Sequence, residues 1–337
     1  MDGCWRKRSA SVWSVWALAD NTTRANSGRK PGGGKKRAWQ RKGIQLLSAL
    51  LYNANLPGFA SGRIYQGNGK GLCTPGLNCY SCPGATAACP LGSLQSALAQ
   101  VPEKLPLYLL GFFLLIGLAL GRLVCGFLCP FGLIQELLYA IPSPKLPKSP
   151  WTRRLSWCKY GVLALLVLAI PLVSGLSSGL ALPAFCKYIC PAGTLEGALP
   201  LVILRPEYRP MLGWLFTWKV FLCFALLLLC IFAYRAFCRF LCPLGAIWSL
   251  FSRVALVGFR IDPNRCTHCN ACTRHCLLDV AQVGDRECIQ CGACRDHCPV
   301  NAIYFGKEKS HATIHQTAPS ASTDASPGSG PGSLRRR

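Results

Sequence analysis

Twenty-two cysteines in 337 residues, against two methionines, need a chemical reason. The most specific set is Cys266-x2-Cys269-x2-Cys272-x3-Cys276, followed by Cys288-x2-Cys291-x2-Cys294-x3-Cys298-Pro299. This doubled run is the spacing that holds two [4Fe–4S] cubanes. Three cysteines wrap one cluster from a tight loop, and the fourth reaches the other. It assigns one cluster to Cys266, Cys269, Cys272 and Cys298, and a second to Cys276, Cys288, Cys291 and Cys294. Zinc favours isolated CxxC knuckles, and eight cysteines in this order argue against it. Two departures stand out. Leu277 follows Cys276 where proline is expected, and only eleven residues separate Cys276 from Cys288.

A second signal is an internal repeat. Arg122-Leu-Val-Cys125-Gly-Phe-Leu-Cys129-Pro130-Phe-Gly132 matches Arg235-Ala-Phe-Cys238-Arg-Phe-Leu-Cys242-Pro243-Leu-Gly245. Pro183-Ala-Phe-Cys186-Lys-Tyr-Ile-Cys190-Pro191-Ala-Gly193 is a third copy. Cysteines at i and i+4 share a helix face and can point at a common site. Two ligands cannot complete a cubane, so copies must cooperate. Pooling Cys125, Cys129, Cys238 and Cys242 gives four thiolates, with Arg122 and Arg235 in register to offset an anionic cluster. The third signal, Cys73-x5-Cys79-x2-Cys82-x6-Cys89-Pro90, leaves a cluster, two disulfides or zinc open. Cys186 and Cys190 lie on the same side and could join it. Cys4, Cys158, Cys223 and Cys230 follow no motif and receive no ligand role.

The missing residues narrow the chemistry. All five histidines lie after position 260, so the apolar segments cannot ligate a bis-histidine haem. No CxxCH, no GxGxxG opening a helix after a strand and no P-loop occurs. Redox chemistry here would run on sulfur ligands.

These cysteines must be positioned by apolar elements. The chain is 51% hydrophobic and 15% charged, which points to a membrane protein. The expected fold is mainly α: about four membrane helices with a C-terminal α+β two-cluster ferredoxin domain. A span needs ~20 apolar residues; the candidates are 44–62, 105–121, 160–176 and 213–234. Residues 193–204 are too short and suit a re-entrant or interfacial helix. The expected division is a disordered basic leader over 1–43, a transmembrane domain over 44–259 with an outer cysteine loop at 63–104, a ferredoxin domain over 260–306 and a disordered tail over 307–337. Within the leader, Ala17-Leu18-Ala19 only imitates a cleavage site. The net charge of +24 includes +9 in the leader and +3 in the tail. No nucleic-acid recognition module accompanies it, so a cytoplasmic face beside anionic lipid explains it better. Lys145, Lys148, Arg153 and Arg154 place loop 141–156, and with it both termini and the ferredoxin segment, in the cytoplasm of a prokaryotic cell. Arg265, Arg274, Arg286 and Arg295 surround the ferredoxin cysteines and could raise cluster potentials or dock an acidic partner.

At CGFLCPFG, CKYICPAG, CRFLCPLG and the doubled run, the chain resembles the membrane-bound polyferredoxins. That family includes the quinol-dehydrogenase membrane component of periplasmic nitrate reductase systems. It also has relatives in nitrous-oxide-reductase regulation and cytochrome oxidase assembly. The resemblance covers about 44–306; the Cys73–Cys89 loop resembles a subgroup from anaerobes. It implies electron transfer between the membrane, with quinone or an extracytoplasmic partner, and a cytoplasmic redox protein. The chain would then be a component of an oxidoreductase system rather than a stand-alone enzyme. It would carry two [4Fe–4S] clusters, with room for one or two more. The rivals are a redox sensor or maturation factor for a client oxidoreductase, and a metal-binding scaffold without electron flow.

Overall fold

A computed structural model describes residues 32–98, 106–180 and 182–306. The expected leader before residue 32 and the tail after 306 lie outside the described residues. The helices are α1 (Gly32–Tyr52), α2 (Pro90–Leu98), α3 (Leu107–Ala119), α4 (Pro130–Tyr139), α5 (Pro150–Ser178), α6 (Gly193–Leu204), α7 (Trp214–Phe232) and α8 (Pro243–Leu250). Two short strands, β1 (Gly258–Ile261) and β2 (Ile303–Gly306), pair antiparallel with Gly258 opposite Gly306 and Ile261 opposite Ile303. They close the ends of the ferredoxin segment. The fold is mainly helical, as the apolar runs imply.

The described part of the expected leader begins at residue 32. Residues 32–43 are helical turns of α1, held by Arg37 to Asp296 and by Arg41 to Glu136. Charges that read as a solvated run are here committed to long-range ion pairs.

Two of the four expected spans are long and apolar enough to cross a membrane among the described residues: α5 and α7. Only 17% of each apolar window is covered by the rest of the chain, unlike a soluble core helix. α3 is shorter, at roughly 20 Å of rise against the ~30 Å hydrocarbon core. It stops because Gly121, at φ +50°, turns the chain toward Cys125. The 44–62 stretch breaks after Tyr52, where asparagines are used to hold the cysteine loop. Asn53 Nδ2 donates to Asn78 Oδ1 at 2.9 Å, and Asn55 Nδ2 to the Pro83 carbonyl at 2.9 Å. Residues 193–204 form a short apolar helix. Leu163–Ala169 in α5 and Gly193–Ala198 in α6 widen to π geometry. Each precedes a proline, Pro171 or Pro200, whose missing N–H and ring the wider turn accommodates.

The ferredoxin segment packs against the helices: Leu278 and Ile289 are buried in the same core as Phe131, Phe237 and Trp248.

Candidate metal centres

Each Cys-Pro-x-Gly sequence starts a helical segment, and the reason is local. In α4 and α8 the cysteine takes the extended N-cap conformation, and proline fills the first turn, where no N–H is needed. The glycine N–H three residues on is left to donate to the sulfur. Gly193 donates to Cys190 Sγ at 3.3 Å and Gly245 to Cys242 Sγ at 3.4 Å. Gly92 and Gly132 do the same for Cys89 and Cys129. The structure therefore adds a fourth copy to the three read in sequence, Cys89-Pro90-Leu91-Gly92. Its CPxG was visible; the shorter CxxxCP match hid it.

Cys125, Cys129, Cys238 and Cys242 line one cavity, together with Pro75, Gly76, Leu77, Val124, Leu244, Gly245 and Trp248. The two repeats thus contribute two cysteines each to the lining of this cavity. Burial pushes the Cys129 thiol up to about 12. Cys238 is held down at about 6 by the Cys242 hydrogen bond and, beyond it, by Arg235 and Arg122. Gln135 Nε2 donates to Cys238 Sγ at 2.9 Å. Its Oε1 accepts from Cys230 Sγ at 3.5 Å, so a cysteine without a motif stands beside the site.

The two arginines cross over. Arg235 packs on Gly132 of the other repeat, and Arg122 on Gly245. Arg235 binds the Cys125 carbonyl and Glu136, the latter at 2.6 Å. It sits at φ +50°, a conformation costing about 1 kcal/mol for a non-glycine residue. Glu136 also pairs with Arg41. Burial would raise its pKa, but Arg235 and Arg41 outweigh that and hold it at about 2. Arg122 binds the Arg286 carbonyl at 2.7 Å and Glu287 at 3.4 Å. Sequence spacing suggests the arginines but not Gln135, Glu136 or Glu287, whose partners lie about a hundred or more residues away.

In the ferredoxin segment burial, and then the charges of Cys288, Cys291, Cys276 and Cys272, raise the Cys294 thiol, so thiols expected at both clusters lie within electrostatic reach of it. Cys266 and Cys269 act likewise on Cys272. The fourth expected ligand there, Cys298, accepts the Ala302 N–H at 3.3 Å, as Cys276 accepts that of Leu278 at 3.4 Å. His275 and His297, each just before such a cysteine, stack at 4.1 Å. Arg274 caps the Cys269 carbonyl, and Arg286 lies 4.0 Å from the Trp157 ring. These two arginines thus have partners within the fold.

The outer loop differs from its expected place. It does not stand apart from Cys125: Pro75, Gly76 and Leu77 line that cavity, and the Leu77 N–H reaches Cys129. Among the described residues no two cysteines are joined in a disulfide.

The segment binding Cys288–Cys291 presses directly on the first repeat. A Cβ on Gly126 would stand 2.3 Å from the Ile289 carbonyl oxygen. Gly126→Ala should therefore push this loop away from Cys125 and cost about 1–3 kcal/mol. Thermal unfolding of the purified variant checks this; an unchanged midpoint would show the contact to be slack.

No solved structure matches the chain. A 4Fe-4S binding domain family matches residues 105–149, 161–199 and 214–262, and a second 4Fe-4S binding domain family matches 282–304. Together these matches cover just under half of the chain, and they support an iron–sulfur, polyferredoxin-like relationship. An uncharacterized protein of Methanocaldococcus jannaschii is 29% identical over 48% of this chain and 53% of its own length. The methylamine utilization ferredoxin-type protein MauN of Paracoccus denitrificans is 30% identical over 54% and 58%. The regulatory protein NosR of Stutzerimonas stutzeri is 28% identical over 45% and 19%. The chain thus spans about half the length of the first of these relatives.

The chain binds [4Fe–4S] clusters, and its own residues fit such a group. Among the described residues no three His, Cys, Asp or Glu are gathered to chelate a single ion. The thiols instead surround a space. Trp248 Nε1 and Arg122 Nε are buried without a hydrogen-bond partner beside the first cavity. Anionic sulfur there would give such donors an acceptor, whereas an empty apolar pocket would not.

Proposed function

We propose that the chain is a membrane-embedded electron conduit. It would pass electrons between the quinone pool or an extracytoplasmic partner and a cytoplasmic redox protein. The observation that carries this reading is the contact of Gly126 with Ile289. It brings the Cys288–Cys291 loop against the cavity of Cys125, Cys129, Cys238 and Cys242. Bound cubanes supply one-electron transfer with little rearrangement. The protein's part is to hold them at short range and to exclude water. Cys266, Cys269, Cys272 and Cys298 would hold one cluster, and Cys276, Cys288, Cys291 and Cys294 a second. The four repeat cysteines would hold a third. Arg122, Arg235 and Lys159 supply positive charge around that third site, which favours an anionic cluster in a dry setting.

Membrane insertion is supported by the lipid-like exposure of α5 and α7, with Leu165, Val173, Phe221 and Phe224 more than half exposed. The other two crossings would run over 44–62 and over 105–121, the latter built on α3. Both termini would then be cytoplasmic, beside the basic loop of Lys145, Lys148, Arg153 and Arg154. Similarity to the ferredoxin-type protein MauN supports the electron-transfer reading.

Liposomes enclosing ferricyanide, carrying the anaerobically purified full-length protein, test the reading. External dithionite should reduce the trapped acceptor faster than in protein-free liposomes, and Cys125→Ser should remove that gain. No gain over protein-free liposomes, or full activity in Cys125→Ser, would refute it.

A further inference from the structure

The four Cys-Pro-x-Gly starts pair two by two. α4 and α8 face each other across the cavity already described. The helix α2 and the turn leading into α6 bring Cys89 and Cys190 together in the same way. Cys190 lies within electrostatic reach of Cys79, Cys89 and Cys186, Cys89 within reach of Cys186, and Cys186 within reach of Cys79. Cys89 and Cys190 are buried, and Cys79 and Cys186 are half-buried. Cys79 Sγ lies 3.1 Å from where a Cβ on Gly197 would stand, one helical turn beyond the Gly193 N–H that donates to Cys190.

The correspondence extends to the residue six positions after each Cys-Pro cysteine. It is Gln95, Gln135, Glu196 and Trp248 in the four copies. Gln135 donates to Cys238 Sγ at 2.9 Å, and its Oε1 accepts the Cys238 N–H at 3.4 Å. Gln95 donates to Cys186 Sγ at 3.2 Å, and its Oε1 accepts the Phe185 N–H at 3.1 Å. Each amide spends both ends on the partner copy's first cysteine or the residue before it. Trp248 lines the first cavity; Glu196 Oε2 accepts the Cys79 N–H at 2.8 Å and so fixes a loop thiol in the second. On α7, Cys223 contacts the Pro191 carbonyl and Cys230 contacts Gln135, seven residues apart. The two sites are therefore displaced by roughly 10 Å along that helix. Between them runs Leu77-Asn78-Cys79, whose amides reach Cys129 and Cys89.

We infer that Cys79, Cys89, Cys186 and Cys190 hold a further [4Fe–4S] cluster, related to the Cys125–Cys242 site by this internal pseudosymmetry. The inference deepens the electron-conduit reading and rests on it. It excludes two thiols that sequence alone could not separate from the set. Cys73 Sγ is turned to Ser93, 3.7 Å away. Cys82 meets Lys70 and the amides of Gly84 and Ala85, whereas it is the Cys79 N–H that is tied to Glu196. The ligands thus come half from the loop and half from the third repeat.

The test is iron, sulfide and zinc analysis with low-temperature EPR on the full-length protein, purified without oxygen. Four cubanes give about sixteen iron. Cys79→Ser and Cys190→Ser should each lose about four iron and the same signal. Cys73→Ser and Cys82→Ser should lose none. Should the cysteine variants fail to fold, Gln95→Leu keeps every thiol. It removes one donor to a thiolate, so it should lower the potential of one signal without changing the iron count. Full iron in Cys79→Ser, equal loss in Cys82→Ser, zinc in place of four iron, or a Gln95→Leu spectrum with unshifted potentials would each overturn the inference. If Cys79→Ser keeps its iron while Cys125→Ser loses about four, this inference fails and the conduit stands. If no variant outside the ferredoxin segment loses iron, both fail.

Discussion

Replacing Cys125 or Cys238 by serine is expected to remove one and the same iron–sulfur signal, with about four iron lost in either case. The two residues are 113 positions apart and belong to different repeats, yet both line one cavity with Cys129 and Cys242. A two-ligand half-site leaves a cubane with open corners, whereas the pooled set supplies four thiolates. The surroundings are built for the pooled set. Arg235, from the second repeat, binds the carbonyl of Cys125 in the first, and Gln135, from the first, donates to Cys238 in the second. Each half is thus oriented by the other, so losing one ligand should release the whole cluster. The double variant should lose no more iron than either single one. Additive loss, about two separate increments of iron, would show independent half-sites. Wild-type protein with only about eight iron would remove the site altogether.

How far this arrangement was legible beforehand follows from the range of each interaction. The ferredoxin run and the CxxxCP repeat are local patterns, and the Cys-Pro-x-Gly helix starts follow from proline and glycine chemistry within four residues. The repeat also implied that Cys125, Cys129, Cys238 and Cys242 pool, because two thiols cannot complete a cubane. The loop was harder. Its six-residue gap between Cys82 and Cys89 breaks the CxxxCP spacing, so Cys89 did not register as a fourth copy. The choice between Cys79 and Cys82 depends on Glu196, more than a hundred residues on. Hydropathy found α5 and α7 but extended α3 and the 44–62 stretch too far. It weighs neither Gly121, which turns the chain at a positive φ, nor Asn53 and Asn55, which spend their amides on the loop. Arg37 and Arg41 read as part of a charged leader because their partners, Asp296 and Glu136, are far away in sequence.

Glu287→Gln is expected to be the most damaging charge substitution in the protein. Glu287 is 3% exposed and lies just before Cys288. It binds Lys159 Nζ through both oxygens, at 2.6 and 2.7 Å, and Arg122 at 3.4 Å. Lys159 is fully buried in α5 and Arg122 is 2% exposed. Neutralising the shared carboxylate strands two buried cations at once, which costs about 3–5 kcal/mol for a broken buried pair. Lys159→Met should cost less, because Glu287 keeps Arg122 and the methionine fills much of the lysine volume. The order of the two variants is therefore the informative result, since a purely steric role for these side chains would make them similar. Thermal unfolding in detergent should rank wild type above Lys159→Met and Lys159→Met above Glu287→Gln. Limited proteolysis should then cut first around Asp285–Cys288, where the ferredoxin segment loses its anchor. Equal midpoints for the two variants, or the reverse order, would show that the carboxylate does not hold the segment in place. The same ion pairs fix the distance between the Cys288–Cys291 loop and Cys125. A loosened Glu287 variant that retained its iron should therefore transfer electrons across liposomes more slowly than wild type.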